Sequence, residues 1–519
     1  MIRIKKLIIA GILLLGMQAA MVRAEQPAVQ DAQASGLRAS VAQDHVILGS
    51  PFTDHAVLQR EMPLPVWGWA VAGTQVTVEF AGQKQQTTAS KDGNPSSPKG
   101  CAVARWMLKL KPLKASAVPS EMVVSDSSGN KVVLKNVLVG EVWICSGQSN
   151  MDWPVKSLQG RYQEEIAAAN DPDLRLGRVK PLYAARPLDH TEVVWQPCTP
   201  EQAQEFSAVA LFFGRKLREQ LKVPVGLVES ARGGSPVEAW MSEETLRREF
   251  PEFNAVLDPF DKVVKETGGV FDRREQSKVH GITQVTPTVF YNAHIHPLIP
   301  FGIRGVIWYQ GESNVGRAEQ YARLFPAMIR QWRSEWGQGD FPFHYVQIAP
   351  CGDKDNAGAF LREAQMKSLA VPNTGMAVIM DLGDARNIHP LEKKPVGERL
   401  ASLALAKQYG RHDLVCSGPV YTKHVVEGGA IRLHFDHPGG GLATRDGKEL
   451  THFTIAGDDR KFVEAAALIE GDTIVVSSPA VEKPVAVRFA FGSADVPNLM
   501  DMAGLPASSF RTDNWPENK

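Results

Sequence analysis

Cysteine is scarce in this sequence, and its spacing does not suggest a metal site. The chain has 519 residues and five cysteines, which are widely spaced, form no CxxC pair and stand at positions 101, 145, 198, 351 and 416. Zinc ribbons and disulfide-rich scaffolds are therefore not expected. An exported protein can form a disulfide, but the spacing does not select a pair. Cys145 stands in an apolar run, which predicts a small core residue.

The sequence also lacks an excess of charge and, beyond its start, long apolar runs. Its 57 Lys and Arg residues balance its 57 Asp and Glu residues, so nothing indicates a nucleic-acid partner. After residue 20 no segment is apolar enough to cross a bilayer, which argues against a stable membrane span. No repeat of fixed period is present. The chain is too long for one ordinary domain, and its length predicts about three.

The first 24 residues are predicted to be a signal peptide. Three basic residues among the first six precede an apolar run at 7–20, and residues 22–24 offer the small side chains that a signal peptidase reads. A membrane anchor is the alternative, although the run is short for a span. No cysteine directly follows the run, so a lipid anchor is not expected. We therefore expect export to the periplasm or the extracellular space, and residues 1–24 are left out of the fold.

The remaining chain is predicted to form three regions. Residues 25–136 contain short alternating runs separated by Gly and Asp-Gly turns, which is typical of a β-sandwich. Residues 137–415 alternate strands, such as the one predicted at 225–231, with helices, such as the one predicted at 317–336. This alternation predicts an α/β domain with a parallel sheet and helices on both faces. Residues 416–519 return to short β runs. We expect this last region to pack on the N-terminal β region or on the core.

Predicted strands of the middle region end abruptly in small or polar residues. The run at 140–147 is followed by Ser149, and later strands are followed by Gly233-Gly234, by 310–314 and by His389. Because the carboxyl ends of parallel strands meet at one edge of a sheet, these residues are predicted to share a crevice. A serine there becomes a nucleophile when a base and oxyanion donors stand beside it. The alternative is an ordinary Ser-Asn turn.

Histidine is the usual base for such a serine. His389 follows the predicted strand at 376–380 and precedes a helix, so it is expected to face the same crevice as Ser149. His294 and His296 form a second histidine cluster. Their His-x-His spacing could be half of a zinc site, but no third ligand stands at a suitable distance in sequence. No metal is therefore expected.

These segments resemble sequence blocks of the sialate O-acetylesterase family of SGNH hydrolases. Gly147-Gln148-Ser149-Asn150 resembles its nucleophile block, and Gln310-Gly311-Glu312-Ser313-Asn314 resembles its third block. Residues 233–240 and 381–400 resemble its second block and the block with the histidine. Shorter likenesses at 52–60 and 504–507 extend the resemblance over almost the whole mature chain. It implies an α/β fold with a flavodoxin-like SGNH-hydrolase core and parallel sheet, flanked by N- and C-terminal β-sandwich-type regions.

The resemblance also implies a role for individual residues. Ser149 is expected to be the nucleophile and His389 the base. The implied oxyanion donors are the Ser149 amide, Gly233 or Gly234, and one side-chain amide, either Gln310, which we favour, or Asn314. Gln148 and Glu312 are expected to support their neighbours, since an ionised Glu312 accepts hydrogen bonds and cannot donate to an oxyanion.

The chain departs from the family just before its histidine. Relatives commonly carry Asp two or three residues before that position, whereas this chain has Asn387 and Arg386. We therefore expect Asp384, or a backbone carbonyl, to orient His389.

These expectations define an exported esterase that removes O-acetyl groups from sialic acids without a metal or organic cofactor. Arg232 and Arg386 flank two of the blocks and are candidate clamps for a sugar carboxylate, with surface ion pairs as the alternative. Other acetylated glycans such as xylan are an alternative substrate class. A non-catalytic glycan-binding protein, with Trp67, Trp69 and Trp153 stacking on sugars, is another possibility. A serine peptidase is disfavoured because the blocks resemble those of an O-ester family.

Overall fold

The computed structural model describes residues 46–90, 103–352, 355–436 and 439–516. The predicted signal peptide, residues 1–24, and Cys101 lie outside the described residues. The other cysteines, Cys145, Cys198, Cys351 and Cys416, are free thiols. In the described ranges no helix combines the length and the hydropathy that a membrane crossing requires.

The N-terminal region is β structure. Its described strands are β1 (Val46–Leu48), β2 (Val57–Gln59), β3 (Leu64–Val71), β4 (Gln75–Phe80), β5 (Gln83–Thr88), β6 (Val103–Leu110), β7 (Ser116–Asp126) and β8 (Lys131–Gly147). Strand β3 pairs with β1 and β6, and β4 pairs with β5 and β7. In β4 the apolar residues Val76, Val78 and Phe80 are buried and the residues between them are more exposed, as the period of a half-buried strand requires.

Strand β8 joins this region to the core. Its first part, from Lys131 to Val139, pairs antiparallel with β7. Its last part, from Glu141 to Gly147, has parallel neighbours on both sides. One continuous strand therefore runs through the predicted boundary between residues 136 and 137 and carries the chain directly to Ser149.

The core is a mixed α/β arrangement around one central sheet. Its further strands are β9 (Asp171–Val179), β10 (Tyr183–Ala184), β11 (Val193–Cys198), β12 (Val225–Ala231), β13 (Val270–Phe271), β14 (Gly305–Tyr309), β15 (Phe343–Val346) and β16 (Thr374–Ala377). Across the sheet the order is β11-β9-β12-β8-β14-β15-β16. Strand β11 pairs antiparallel with β9, and the other neighbours in this order are parallel. The predicted parallel sheet is therefore a mixed sheet with an antiparallel edge.

Helices cover both faces of this sheet. They are α1 (Ser149–Asp152), α2 (Gln163–Ala167), α3 (Pro200–Glu205), α4 (Ala208–Leu221), α5 (Glu243–Glu249), α6 (Asn254–Leu257), α7 (Phe260–Thr267), α8 (Arg274–Val279), α9 (Ala318–Trp336), α10 (Ala357–Lys367) and α11 (Lys393–Gln408). On one face Trp308 packs edge-on against Trp332 of α9, and on the other Trp143 packs against Phe213 of α4. Strands β12, β14 and β15 are buried along their whole length, as expected for strands that are covered twice.

The C-terminal region is again β structure and packs on the core. Its strands are β17 (Val420–Glu427), β18 (Ala430–Asp436), β19 (Leu442–Thr444), β20 (Phe453–Ala456), β21 (Val463–Glu464), β22 (Ala466–Glu470), β23 (Thr473–Ser477), β24 (Ala486–Phe489), β25 (Leu499–Asp501) and β26 (Phe510–Arg511). The contact with the core includes Arg362 of α10, which is fully buried. Its guanidinium donates to the carbonyl oxygens of Gly492 at 2.7 Å and Ser493 at 3.2 Å.

Candidate active site

Ser149 stands where the central strand β8 breaks into a short helix. Gly147 ends the strand with φ +137°, and a Cβ at this position would lie 2.2 Å from the carbonyl oxygen of Tyr309. Only glycine fits this close approach between two strand ends. Gln148 then keeps an extended backbone and α1 begins at Ser149. The local sequence therefore places the serine hydroxyl at the carboxyl edge of the sheet.

His389 meets Ser149 although 240 residues separate them. The His389 Nε2 and Ser149 Oγ atoms are 2.8 Å apart, which is hydrogen-bonding distance. His389 lies in the loop between β16 and α11, and its ring stacks on Trp153, with 4.3 Å between ring centres and 21° between planes. Burial, and to a lesser degree the charge of Lys393, lower the pKa of His389 below its ordinary value of 6.5. The imidazole is therefore neutral near pH 7, as a general base must be.

The predicted contact between Asp384 and His389 is wrong for this structure. Asp384 is exposed, and its Oδ1 accepts the backbone N–H of Arg386 at 2.9 Å within its own turn. Across the described ranges no hydrogen bond joins Asp384 to His389. The backbone N–H of His389 instead donates to Asn387 Oδ1 at 3.0 Å. The short spacing between Asp384 and His389 closes a turn, and that turn directs the carboxylate away from the ring.

Replacing Asp384 by alanine is therefore expected to lower kcat by less than about threefold. Replacing Trp153 by alanine removes the surface on which the imidazole rests and is expected to lower kcat by roughly tenfold or more. Steady-state rates on one acetyl ester would test both variants. A large loss in the Asp384 variant with none in the Trp153 variant would reverse this assignment.

The two glycines of the second block lie beside Ser149. A Cβ on Gly233 would be 3.5 Å from the Ser149 Cβ, and Gly234 has φ +74°. The backbone N–H of Gly233 hydrogen-bonds to the carboxylate of Asp152, whose pKa is nevertheless raised because burial outweighs that bond. The glycines thus let the backbone approach the nucleophile, which is the geometry that an oxyanion donor requires.

Gln310 and Asn314 do not supply the predicted side-chain donor. Both are fully buried and neither lines the cavity beside Ser149. The Gln310 Nε2 donates to Asn314 Oδ1 at 2.7 Å and to Ser235 O at 3.3 Å, and the Asn314 Nδ2 donates to Glu238 at 3.0 Å. Their amides are therefore occupied in holding the loops together.

Gln148 is a side-chain amide that lines the cavity next to Ser149. Its Oε1 accepts the backbone N–H groups of Gly311 and Ser313, at 3.3 and 3.1 Å. Since the amide is planar, these two bonds to Oε1 leave Nε2 pointing away from the N–H groups of Gly311 and Ser313. Gln148 lines the cavity together with Ser149, and in the described part of the chain its Nε2 has no hydrogen-bond acceptor. It is thus a better donor candidate than either predicted amide.

The cavity has a volume of about 470 Å³, within the usual range for small-molecule sites. Besides the residues above it is lined by Asp152, Tyr183, Arg232, Arg274, Gln284, Glu312, Ser313 and Ile388. Arg232 lies 5.9 Å from the centre of the Tyr183 ring. Arg386, the other predicted clamp, is exposed and does not line this cavity. A polar ligand would therefore meet the guanidinium groups of Arg232 and Arg274.

Trp67, Trp69 and the two histidines, which were considered for sugar stacking or metal binding, lie outside this cavity. Trp67 and Trp69 are 1% and 5% exposed, so they are core residues and cannot stack on a glycan. His294 is buried against the Leu182 backbone at 3.3 Å, and burial lowers its pKa to about 3. His296 hydrogen-bonds to the Leu188 carbonyl at 2.8 Å. The His-x-His pair therefore packs one loop onto another.

Several residues of the site were missed by the sequence prediction. Asn150 and Lys393 stand inside the predicted blocks, but their spacing does not reveal that they touch. Asp152 and Trp153 follow Ser149 within about one helical turn, and this spacing was the sequence signal that could have placed them near the site. Arg274 lies in no block, and the sequence gives no sign of its place.

Comparison with known proteins gives a consistent result. The family model for carbohydrate esterases described as sialic acid-specific acetylesterases matches residues 139–271 and 289–406. The human sialate O-acetylesterase is 32% identical over 401 residues, 71% of this chain and 72% of that protein. The mouse sialate O-acetylesterase is 31% identical over 429 residues, covering 74% of this chain and 77% of that one.

A solved structure is similar as well. A carbohydrate acetylesterase from Xanthomonas citri has 38% sequence identity and a TM-score of 0.78. The match covers 91% of this chain and 100% of that one, so it includes both β regions as well as the core. The resemblance noted in the sequence is thereby confirmed.

Proposed function

This chain belongs to the sialic acid-specific acetylesterase family of carbohydrate esterases, and on that premise we propose that it cleaves O-acetyl esters of sugars through an acyl-enzyme on Ser149. The observation that carries the proposal is the 2.8 Å contact between Ser149 Oγ and His389 Nε2 beside a cavity of about 470 Å³. A neutral imidazole within hydrogen-bonding distance of a hydroxyl is the arrangement that activates a serine.

The reaction follows from this contact. His389 Nε2 takes the hydroxyl proton while Ser149 Oγ bonds to the acetyl carbon, which gives a tetrahedral oxyanion. The bond from that carbon to the sugar oxygen then breaks, and the sugar oxygen takes the proton back from His389. Water repeats the sequence on the acetyl-serine, with His389 again as base, and releases acetate.

We propose the Ser149 amide, the Gly234 N–H and Gln148 Nε2 as donors to the oxyanion, since the Gly233 N–H is already bound to the carboxylate of Asp152. The support is their place around Ser149 and, for Gln148, an amide oxygen that is already bound to two backbone N–H groups. A donor held before the reaction starts needs no reorganisation when the charge develops.

A flavodoxin-like SGNH core is also part of the proposal. With the extra strand β9 set aside, the parallel strands of the core follow the order β12-β8-β14-β15-β16. Numbered along the chain this is second, first, third, fourth and fifth, which is the flavodoxin-like order. In such sheets ligands bind beside the first and third strands, β8 and β14 here, and Ser149 follows β8.

We propose O-acetylated sialic acids as the substrate class. The support is the family together with Arg232 and Arg274, since guanidinium groups pair with carboxylates in a fork geometry. Acetylated neutral glycans such as xylan lack that carboxylate. Export, which the first 24 residues predict, would bring the enzyme to glycans outside the cytoplasm.

Comparing a charged with a neutral substrate tests two claims, that the chain is a sugar acetylesterase and that its arginines bind a sialic acid carboxylate. Replacing Arg232 or Arg274 by methionine is expected to lower kcat/KM for O-acetyl sialic acid by roughly tenfold or more. On acetyl xylan oligomers the same variants are expected to stay within about threefold of the wild type. Arg386→Met, at an exposed arginine outside the cavity, serves as the matched control.

Acetate release, followed by a coupled assay, is the measurement. Equal losses on both substrates would refute the carboxylate clamp and leave the esterase assignment in place. Absence of acetate release by the wild type from either sugar would refute the assignment itself.

A further inference from the structure

A buried lysine contacts Asn150, the residue that follows Ser149 in the chain. Lys393, the first residue of α11, has 0% exposed surface. Its Nζ donates a hydrogen bond to Asn150 Oδ1 and lies 5.3 Å from the centre of the Tyr309 ring. The helix dipole opposes a cation in the first turn, and a buried cation costs free energy unless it is compensated. Because the position is unfavourable for folding, a role in the site is indicated.

Asn150 links this lysine to the loop that carries the base. Its Nδ2 donates to Glu312 Oε1 at 2.6 Å and to the carbonyl oxygen of Ile388 at 3.0 Å, and Ile388 immediately precedes His389. Lysine can only donate, whereas a carboxylate and a carbonyl can only accept, so these partners determine the orientation of the amide. One side chain thereby ties together the nucleophile turn, the third block and the histidine loop.

Glu312 supplies the opposite charge without touching the lysine. Burial raises the pKa of Glu312 and lowers the pKa of Lys393 to about 7, while the attraction between them opposes both effects. The Glu312 Oε2 atom is buried and, as far as the chain is described, has no hydrogen-bond partner. The Asn150 amide stands between the two charges and bonds to both.

We propose that Lys393 is a positioning residue for the esterase reaction. Through Asn150 it holds the Ser149 turn and the His389 loop in contact. The inference rests on the proposed Ser149–His389 mechanism.

The groups around His389 and Lys393 determine how protonation of His389 depends on pH. Lys393 is the charged residue that shifts the pKa of His389. Ser149 and Trp153 contact the ring, and on its own loop Asp384 and Arg386 are exposed. Facing Lys393 are Asn150 from α1, Glu312 from the turn after β14 and Tyr309 from β14 itself. Lys393 is protonated below pH 7, where the acid limb of the rate profile lies, so loss of its charge is measurable there.

Replacing Lys393 by methionine, which keeps an unbranched side chain one atom shorter and removes its charge, tests the inference. We expect kcat to fall by roughly 10- to 100-fold with KM within about threefold. We also expect the acid limb of kcat/KM to move to higher pH, because His389 no longer has a positive neighbour that disfavours its protonated form. Lys394→Met is the matched control, since Lys394 pairs with Glu165 at 2.8 Å on the outer side of the same turn.

A double-mutant cycle that combines Lys393→Met with Asn150→Ala distinguishes a positioning role of Lys393 from a merely structural effect. If both residues act through one bridge, the double variant is expected to lose little more than either single variant. Additive losses, or an acid limb that does not move, would overturn the inference. If Lys393→Met does not fold, Asn150→Ala decides alone, and a loss below about threefold in kcat overturns it.

The outcome for Ser149→Ala distinguishes a failure of the proposed function from a failure of the inference about Lys393. Full activity in that variant would refute the proposed function. Its inactivation, with Lys393→Met unaffected, would refute this inference alone.

Discussion

Ser149→Ala is expected to lower kcat by on the order of 10⁴-fold or more while KM changes little. The hydroxyl forms the bond to the acetyl carbon, so its removal eliminates the covalent route and leaves only whatever the oxyanion donors provide. The fold should be unaffected because Ser149 begins a short helix in which its side chain caps no backbone group. Acetate release and trapping of an acetylated peptide by mass spectrometry are the measurements.

Ser146→Ala is the matched control for this variant. Ser146 lies on β8, the strand that leads to Ser149; it is fully buried, and its Oγ has no hydrogen-bond partner within the described ranges. It should keep activity within about threefold of the wild type. More than about 1% residual turnover in Ser149→Ala, with no acetyl-serine in the wild type, would contradict the acyl-enzyme mechanism.

His389→Ala is expected to lower kcat by roughly 10³- to 10⁴-fold, because no other base contacts Ser149 Oγ in the described structure. In the wild type the acid limb of kcat/KM should have its midpoint below the ordinary histidine value of 6.5, since burial and Lys393 lower the pKa of His389. Activity should therefore rise as pH increases through this midpoint, where the imidazole loses its proton.

A pH series of kcat/KM measures this limb, and His412→Ala, at an exposed histidine, is the control. A midpoint well above 6.5, or an unchanged limb in His389→Ala, would show that another group is the base.

Strand and helix patterns predicted much of the fold. The strand predicted at 225–231 is found as β12 with the same bounds, since a short, mostly apolar run between turn residues favours a buried strand. The helix predicted at 317–336 is α9, Ala318–Trp336. The antiparallel edge strand β11 was not predicted, because sequence spacing does not give the direction of pairing.

Side-chain partners were predicted less well than backbone elements. The sequence placed Gln310 and Asn314 in the right loop, but both amides point into it and bond to Ser235 and Glu238. Asp384 stands near His389 in the chain and bonds within its own turn. Conversely, Lys393 and Asn150 meet across 243 positions. Nearness in sequence constrains the backbone, whereas the direction of a side chain depends on packing around it.

The sequence by itself identified the candidate nucleophile, the candidate base and much of the order of strands and helices, because local patterning and the family blocks carry that information. The tertiary structure alone decided which groups surround the nucleophile. It placed Arg274 in the lining of the cavity beside Ser149, Trp153 against the His389 ring and Lys393 against Asn150, and it left Asp384 and Arg386 outside. The reason is physical: at the carboxyl edge of the sheet, loops from distant parts of the chain converge, and burial and hydrogen bonding in that small volume select which side chains face the cavity.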